Sequence, residues 1–256
     1  MGIIKTLNAK QKVFDVFYNI SMWCITILRE FLFKDRIDAA EKLSKELERL
    51  KAQWEHKGIH EKSMIILAIP RGGIVIADTI SSKLRIGLDI IVSRKLGAPN
   101  NSELAIGAVM ADGSIFPNQH VIDSLKITQD YINLQVNIQM DEIERRLINF
   151  RGSKEYDISL KEKNIILVDD GIATGATILS AAKWLKSNQF CKKLVIAVPV
   201  APPTDETNYK IKELTDQTII LYQPDPFYSV GQFYKAFPQI TDKEVIEIMR
   251  RHGYRV

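Results

Sequence analysis

Apolar positions along this chain follow two periods. Continuous runs of aliphatic and β-branched side chains stand at residues 64–69, 88–93, 104–110, 165–168, 194–198 and 218–222. Runs of that length read as strands buried on both faces. Between them lie stretches with helical spacing, at 74–84, 127–150, 177–187, 206–214 and 242–252. Strand and helix in repeated alternation predict an α/β fold: a doubly wound, mostly parallel sheet flanked by helices. In the helix over 127–150 the spacing puts Tyr131, Leu134, Ile138, Ile143 and Leu147 in the core. In a separate amphipathic helix over 33–50, Ile37, Ala40, Leu43 and Leu47 share one face. The polar stretch 151–163 serves as a connector into the strand at 165–168.

The first 32 residues fit this alternation poorly. Residues 13–33 are strongly apolar, but Asp15, Arg29 and Glu30 interrupt them. The charge-free part, 16–28, is shorter than the roughly 20 residues that span a bilayer. It has no small-residue cleavage site, so a signal peptide is not expected. The expectation is a helix packed on the domain or on a second subunit, with an interfacial membrane helix as the alternative. The chain therefore divides into a helical extension, 1–32, and a domain, 33–256. Within the domain, 62–222 form the core, and 33–60 with 223–256 form a small hood.

Composition narrows the function classes. With 256 residues the chain buries a substantial core, and 46% hydrophobic with 26% charged residues is ordinary for a soluble globular protein. A net charge of +4, dispersed along the chain, predicts no nucleic-acid partner. Cys24 and Cys191 provide no disulfide framework and fit a reducing cytoplasm. His56, His60, His120 and His252 are scattered and form no metal-ligand set. A P-loop NTPase is disfavoured because no G-x-x-x-x-G-K-[ST] occurs.

The chemistry concentrates where the strand at 165–168 ends. Asp169 and Asp170 emerge there, followed by the small-residue turn Gly171-Ile172-Ala173-Thr174-Gly175-Ala176 and Thr177, which opens a helix. Ligands of open parallel sheets bind beyond the carboxyl ends of the strands. Uncovered amides and a helix N-terminus suit an anion there. Two carboxylates beside the anion accept from sugar hydroxyls, so the stretch predicts a sugar-phosphate site. A second strand, 64–69, ends in Pro70-Arg71-Gly72-Gly73, where paired glycines admit a ligand close to the backbone and Arg71 supplies a forked donor. A third, 88–93, ends in Arg94-Lys95, and the turn-rich stretch 96–103 leads back into the strand at 104–110.

The order of strand, acid pair, T-G-x-T turn and helix resembles the phosphoribosyl pyrophosphate (PRPP) loop of the type I phosphoribosyltransferases. Pro70 to Gly73 is similar to that family's pyrophosphate loop. The block Arg94-Lys-Leu-Gly-Ala-Pro99, continuing to Ala108, resembles a bacterial and archaeal subgroup whose acceptor base is not named. The resemblance implies that Asp169 and Asp170 hold the ribose hydroxyls, while Gly171, Ile172, Ala173, Thr174, Gly175, Ala176 and Thr177 surround the 5′-phosphate. Arg71, Gly72 and Gly73 would meet the pyrophosphate, with Arg94 and Lys95 neutralising it as it leaves. Arg71, Lys95, Asp169 and Asp170 are the expected catalytic set, and Glu103 is a hinge anchor or a base. Phe227 and Tyr228, in the aromatic stretch 223–237, are candidates to stack on the base. Mg²⁺ is expected to arrive on PRPP, with no metal site of the protein's own.

The implied reaction, a step of nucleotide salvage, moves the 5-phosphoribosyl group of PRPP to a nucleobase-like acceptor and releases pyrophosphate. A homodimer in the cytoplasm, binding no membrane, is expected. Relatives using 6-oxopurines commonly carry aspartate where Ala173 stands, which weighs against hypoxanthine or guanine. The alternative is a PRPP-binding regulatory protein on the same fold. A phosphate-switch receiver, which also begins with a strand ending in Asp-Asp, is disfavoured because Asp216 precedes a strand instead of ending one.

Overall fold

Helix ends in this chain are written by local side chains. The first described helix, α1 (Arg36–His56), starts where the Asp35 carboxylate accepts the amide of Asp38 at 2.9 Å. The long helix α4 (Gln129–Arg151) is capped by Thr128 and stops at Gly152, whose φ of 73° ends the helix in the left-handed region. The last, α7 (Asp242–Arg251), opens on a reciprocal capping box between Thr241 and Glu244. These elements come from a computed structural model that describes residues 31–256 except 157–159, 161, 188–190 and 204–205. The expectations for residues 1–30, including the apolar segment and Cys24, lie outside the described residues. Contacts divide the chain into Met1–Leu32 and Phe33–Val256, and the described helices and strands belong to the second unit.

Five parallel strands form the central sheet: β1 (Met64–Ala68), β2 (Gly87–Ile90), β6 (Lys163–Val168), β7 (Cys191–Val200) and β8 (Gln217–Tyr222), in the order β2-β1-β6-β7-β8. The chain starts at β1, adds β2 on one side, then crosses over to β6 on the other. The carboxyl ends of β1 and β6 therefore lie side by side, with Ala68 paired to Val168. That neighbourhood is the switch point at which such sheets bind ligands. Helices α2 (Gly72–Leu84), α5 (Ala176–Ser187) and α6 (Glu206–Leu214) follow β1, β6 and β7. The strands at the middle read as continuous apolar runs because both faces are covered: Ile165 to Val168 are all buried.

The expected strand at 88–93 divides. β2 ends at Ile90, and the chain turns into β3 (Ser93–Ala98), which pairs antiparallel with β4 (Asn101–Met110). Stretch 96–103, read from its turn residues as a loop, is thus the end of a hairpin, with the turn at Pro99 and Asn100. Asn100 takes a φ of 61°, and the Asn101 carboxamide accepts from the amides of Glu103 and Leu104. β5 (Ile115–Pro117) completes this second, three-stranded sheet, and the short α3 (Gln119–Ser124) follows.

Two expected core faces are displaced. On α4, Ile132, Ile143, Leu147 and Phe150 are buried, whereas Leu134 is 55% and Ile138 is 50% exposed. Tyr131 is half-buried, its hydroxyl donating to the Gly97 carbonyl. The first half of this helix therefore lies on a narrow hairpin rather than on the broad sheet. On α1, Ala40, Leu43 and Leu47 are buried but Ile37 is exposed, and Arg36 takes the inward position instead. The 151–163 connector is also less polar in role than in composition. Arg151 forms a buried two-toothed ion pair with Asp89 at 2.7 and 2.9 Å, and the Tyr156 hydroxyl accepts the Val92 amide.

Candidate active site

Where β6 leaves the sheet, residues 171–175 form a tight turn into α5. Leu179 donates to the Gly175 carbonyl at 2.9 Å, which makes Gly175 the helix cap. The amides of 176–178 then belong to the first turn, whose N–H groups have no partner within a helix. Asp169 and residues 171–178 line a cleft of about 150 Å³. Ala173, Thr174 and Thr177 are exposed to it. The turn has a firm back wall. Gly175 has a φ of 71°, and a methyl there would fall 2.1 Å from the Thr207 methyl on α6. A methyl on Gly171 would strike Val230 and Val200. Ile172 lines the cleft only in part: its side chain is in the core and its amide is committed to the Val200 carbonyl at 2.8 Å.

The acid pair is recessed beside this cup. Asp169 turns one oxygen back to accept the Asp170 amide at 2.8 Å. Asp170 reaches the other way, and its Oδ2 accepts from Nε of Arg36 at 2.8 Å. Burial, then the charge of Asp170, push the Asp169 carboxyl well above the usual carboxylate range. Burial also raises Asp170, against the opposing pull of Arg36. Two neighbouring buried carboxylates of like charge resist ionising together.

The β1 turn packs edge-on against this pair. A methyl on Gly72 would lie 1.9 Å from Oδ2 of Asp170, and one on Gly73 would lie 2.8 Å from the Val168 carbonyl. The two glycines are there because the ends of β1 and β6 touch. The Pro70–Arg71 peptide is cis. Arg71 extends to Asp242 at the start of α7, at 3.4 Å, and Asp242 also meets Arg145 of α4 at 3.6 Å.

Arg94 and Lys95 fall on opposite faces of β3, as adjacent strand residues must. Arg94 turns toward α4 and donates to Gln139 at 2.9 Å, and burial lowers its pKa. Lys95 is exposed and pairs with Glu103 across the hairpin at 3.1 Å. The expected basic pair is therefore split between two surroundings.

The hood segment closes the opposite side. Tyr234 donates to the Asp170 carbonyl at 2.6 Å. Phe237 lies under the Arg36 guanidinium, 3.7 Å from ring centroid to Cζ, and the Pro238 carbonyl accepts from Arg36 at 2.8 Å. Phe227 is half-buried and packs on Phe233, at 5.0 Å between centroids. Tyr228 is 78% exposed on a turn held by Gln232, whose side-chain Oε1 accepts from the amides of Tyr228 and Ser229. Arg36, Tyr234 and Phe237 are the residues that sequence reasoning missed. Arg36 carried a signal, since it sits four residues before Ala40 and seven before Leu43 on the apolar stripe of α1.

A switch-point cup with an acid pair and a glycine wall defines the class. The family model for the phosphoribosyl transferase domain matches residues 34–224, and the chain belongs to that family, the type I phosphoribosyltransferases. Two Mycobacterium tuberculosis proteins, from strains CDC 1551 and H37Rv, each named "putative phosphoribosyl transferase", are 34% identical over 220 residues. That alignment covers 86% of this chain and 47% of theirs, so the chain spans about half the length of the curated relatives it matches. The crystal structure of TT1426 from Thermus thermophilus superposes with a TM-score of 0.67 at 31% identity, covering 86% of this chain and 98% of that one.

Proposed function

We propose that this chain transfers the 5-phosphoribosyl group of PRPP to a nucleobase-like acceptor, with release of pyrophosphate. The observation that carries the reading is the juxtaposition of the 173–178 cup with the recessed Asp169–Asp170 pair. One binds an anion through amides, while the other accepts from hydroxyls within the reach of a ribose. In this reading the 5′-phosphate sits on the α5 N-terminus, and the acid pair orients the ring and steadies positive charge as the C1′–oxygen bond breaks. Arg71 and the 72–73 backbone face the pyrophosphate, and Lys95 is carried to it by the β3–β4 hairpin once it leaves Glu103. Such a hairpin closing over the substrate would exclude water. A preorganised donor aimed at developing charge contributes about 3–4 kcal/mol to lowering a barrier. Tyr228, exposed on its braced turn, stacks on the acceptor base.

Among the described residues no group of three or more His, Cys, Asp or Glu side chains is arranged to hold a metal. Arg36 already bonds one oxygen of Asp170. This donor set fits a Mg²⁺ ion that brings phosphate ligands of its own, with Asp169 or Asp170 contributing at most through water. Bound in that way, the ion would neutralise pyrophosphate charge. We assign the reaction to nucleotide salvage in the cytoplasm and the protein to a homodimer.

One observation favours the regulatory alternative, in which PRPP is bound and not turned over. Arg71 and Lys95, the two side chains expected to meet the leaving group, are both ion-paired, to Asp242 and Glu103. A thermal-shift screen with Mg²⁺–PRPP, followed by a base panel scored for pyrophosphate release, separates the two. Stabilisation by PRPP with turnover of one base supports the transferase. Stabilisation with no turnover of any base supports the regulator, and the absence of any PRPP effect overturns both.

A further inference from the structure

The guanidinium of Arg36 has three engagements. Nε donates to Oδ2 of Asp170, a terminal nitrogen donates to the Pro238 carbonyl at 2.8 Å, and the plane rests on Phe237. Only 7% of the residue is exposed, at the first position of α1. A buried arginine on a largely apolar stripe is costly unless its charge is paired. Its partner here is one of the two carboxylates that the proposed function assigns to the ribose. A packing role alone would not need a charge aimed at that atom.

We propose that Arg36 is a positioning residue for ribose recognition: it fixes the Asp170 carboxylate as an acceptor for the sugar hydroxyls and ties it to the hood. This inference rests on the reading of the site as a phosphoribosyl site. Two links run from hood to acid. Tyr234 holds the Asp170 backbone through its carbonyl, and Arg36, itself held by Pro238 and Phe237, holds the side chain. A hydroxyl donates about twice as strongly to an ionised carboxylate as to a neutral acceptor, and burial works against the ionised form. The groups facing Asp170 and Arg36 are Asp169 from the same turn, Tyr234 from the hood and Glu244 from α7. Hydrogen bonds from Thr241, and after them the charge of Arg36, keep the Glu244 carboxyl below the usual range. Arg36 is the cation among these groups. Without it, Asp170 would take up a proton at higher pH, because a nearby opposite charge lowers a carboxyl pKa by about one to three units.

The test measures affinity for ribose 5-phosphate and for inorganic phosphate against pH, in the full chain and in Arg36→Gln and Arg36→Lys. In Arg36→Gln the pH midpoint for ribose 5-phosphate binding should rise by about one unit or more, a loss of roughly tenfold or more on the acid side. Phosphate affinity, which uses only the cup, should stay the same. Arg36→Lys, which retains the charge, should restore the midpoint with weaker binding. If Arg36→Gln keeps the midpoint of the unmodified chain, or loses both ligands equally, Arg36 is structural and the inference falls. Should Arg36→Gln not fold, ¹³C titration of Asp170 in the unmodified chain decides. An ionised Asp170 wherever ribose 5-phosphate binds supports the proposal, and a protonated one at full binding overturns it. If the unmodified chain binds neither ligand, it is the phosphoribosyl reading itself that fails.

Discussion

Gly72→Ala places one methyl group against the carboxylate assigned to the ribose. That methyl falls 1.9 Å from Oδ2 and 2.5 Å from Cγ of Asp170, where a real contact needs at least 3.0 Å. Gly72 opens α2 and is not among the positive-φ glycines, so alanine suits its backbone, and helix propensity favours alanine by up to about 1 kcal/mol. The clash is resolved by the side chain, since Asp170 is short but able to rotate. A displacement of about 1 Å takes its Oδ2 out of the 2.8 Å bond to Arg36. A hydrogen bond to a charged group is worth about 1.5–3 kcal/mol, and the ribose hydroxyls lose a similarly placed acceptor. The gain in propensity is too small to offset this. Affinity for ribose 5-phosphate should therefore fall roughly tenfold to 150-fold while the fold persists. Isothermal titration with ribose 5-phosphate and with inorganic phosphate, alongside a thermal melt, checks it. Phosphate binding should be unchanged, because the cup stands on β6 and α5. If Gly72→Ala binds ribose 5-phosphate as well as the unmodified chain does, the assignment of Asp170 is wrong.

Four further outcomes are expected from the same geometry. Asp170→Asn keeps an acceptor for Arg36 but removes the charge, and should weaken PRPP binding by about 1.5–3 kcal/mol in a calorimetric titration, with a folded circular dichroism spectrum. Asp242→Asn releases Arg71, while Arg145 keeps its pair with Glu142, and pyrophosphate should bind up to about fivefold tighter at low salt, the range of a partly exposed ion pair. Tyr228→Ala should leave PRPP binding unchanged while weakening the nucleotide product by about 1–3 kcal/mol, the scale of one base stacked on an aromatic ring. Finally, hydrogen bonds from Arg145, then Arg146, hold the Glu142 carboxyl at about 2, against 4.5 when unfolded. A depressed carboxyl stabilises the fold above its unfolded pKa and loses that contribution as pH falls through the folded one. The stability advantage of the unmodified chain over Glu142→Gln in urea melts should be present at pH 7 and vanish between about pH 4.5 and pH 2.

The strands and the acid pair were legible because each depends on neighbours in sequence. Ile165 to Val168 are apolar in succession since helices cover both faces, and the turn after Asp170 follows from its own small residues. Residues 96–103 misled for an equally local reason. Gly97, Pro99, Asn100 and Asn101 are turn formers, yet only Pro99 and Asn100 make the turn. Gly97 serves a close approach, where a methyl would lie 2.9 Å from the Ser102 backbone at a shift in the strand register. Composition marks a glycine but not which of its two uses applies. Leu134 and Ile138 have the spacing of a core face, and the error lay in assuming that a whole helix meets one surface. On α4 the buried apolar positions Ile143, Leu147 and Phe150 fall in the second half, with Ile132 alone in the first.

The hood contacts were out of reach for a different reason. Arg36 and Asp170 are separated by 134 positions, Arg36 and Pro238 by 202, and Tyr234 and Asp170 by 64. No spacing rule connects residues that far apart, because the fold alone determines that the start of α1 meets the turn after β6. A strand is fixed by its own side chains, and a sugar-phosphate motif is confined to one turn, so both survive in a linear reading. The acid pair becomes a defined acceptor only when three distant segments agree on where its oxygens point. Specificity that depends on such agreement should therefore change when the hood is altered and the cup is left intact, and Tyr234→Phe is the smallest such change. It removes one donor from the Asp170 carbonyl, changes no residue of the 171–178 turn, and should weaken ribose 5-phosphate binding without altering phosphate binding. Equal loss of both ligands would mean that hood and cup move as one body, and that the acid pair is not held separately.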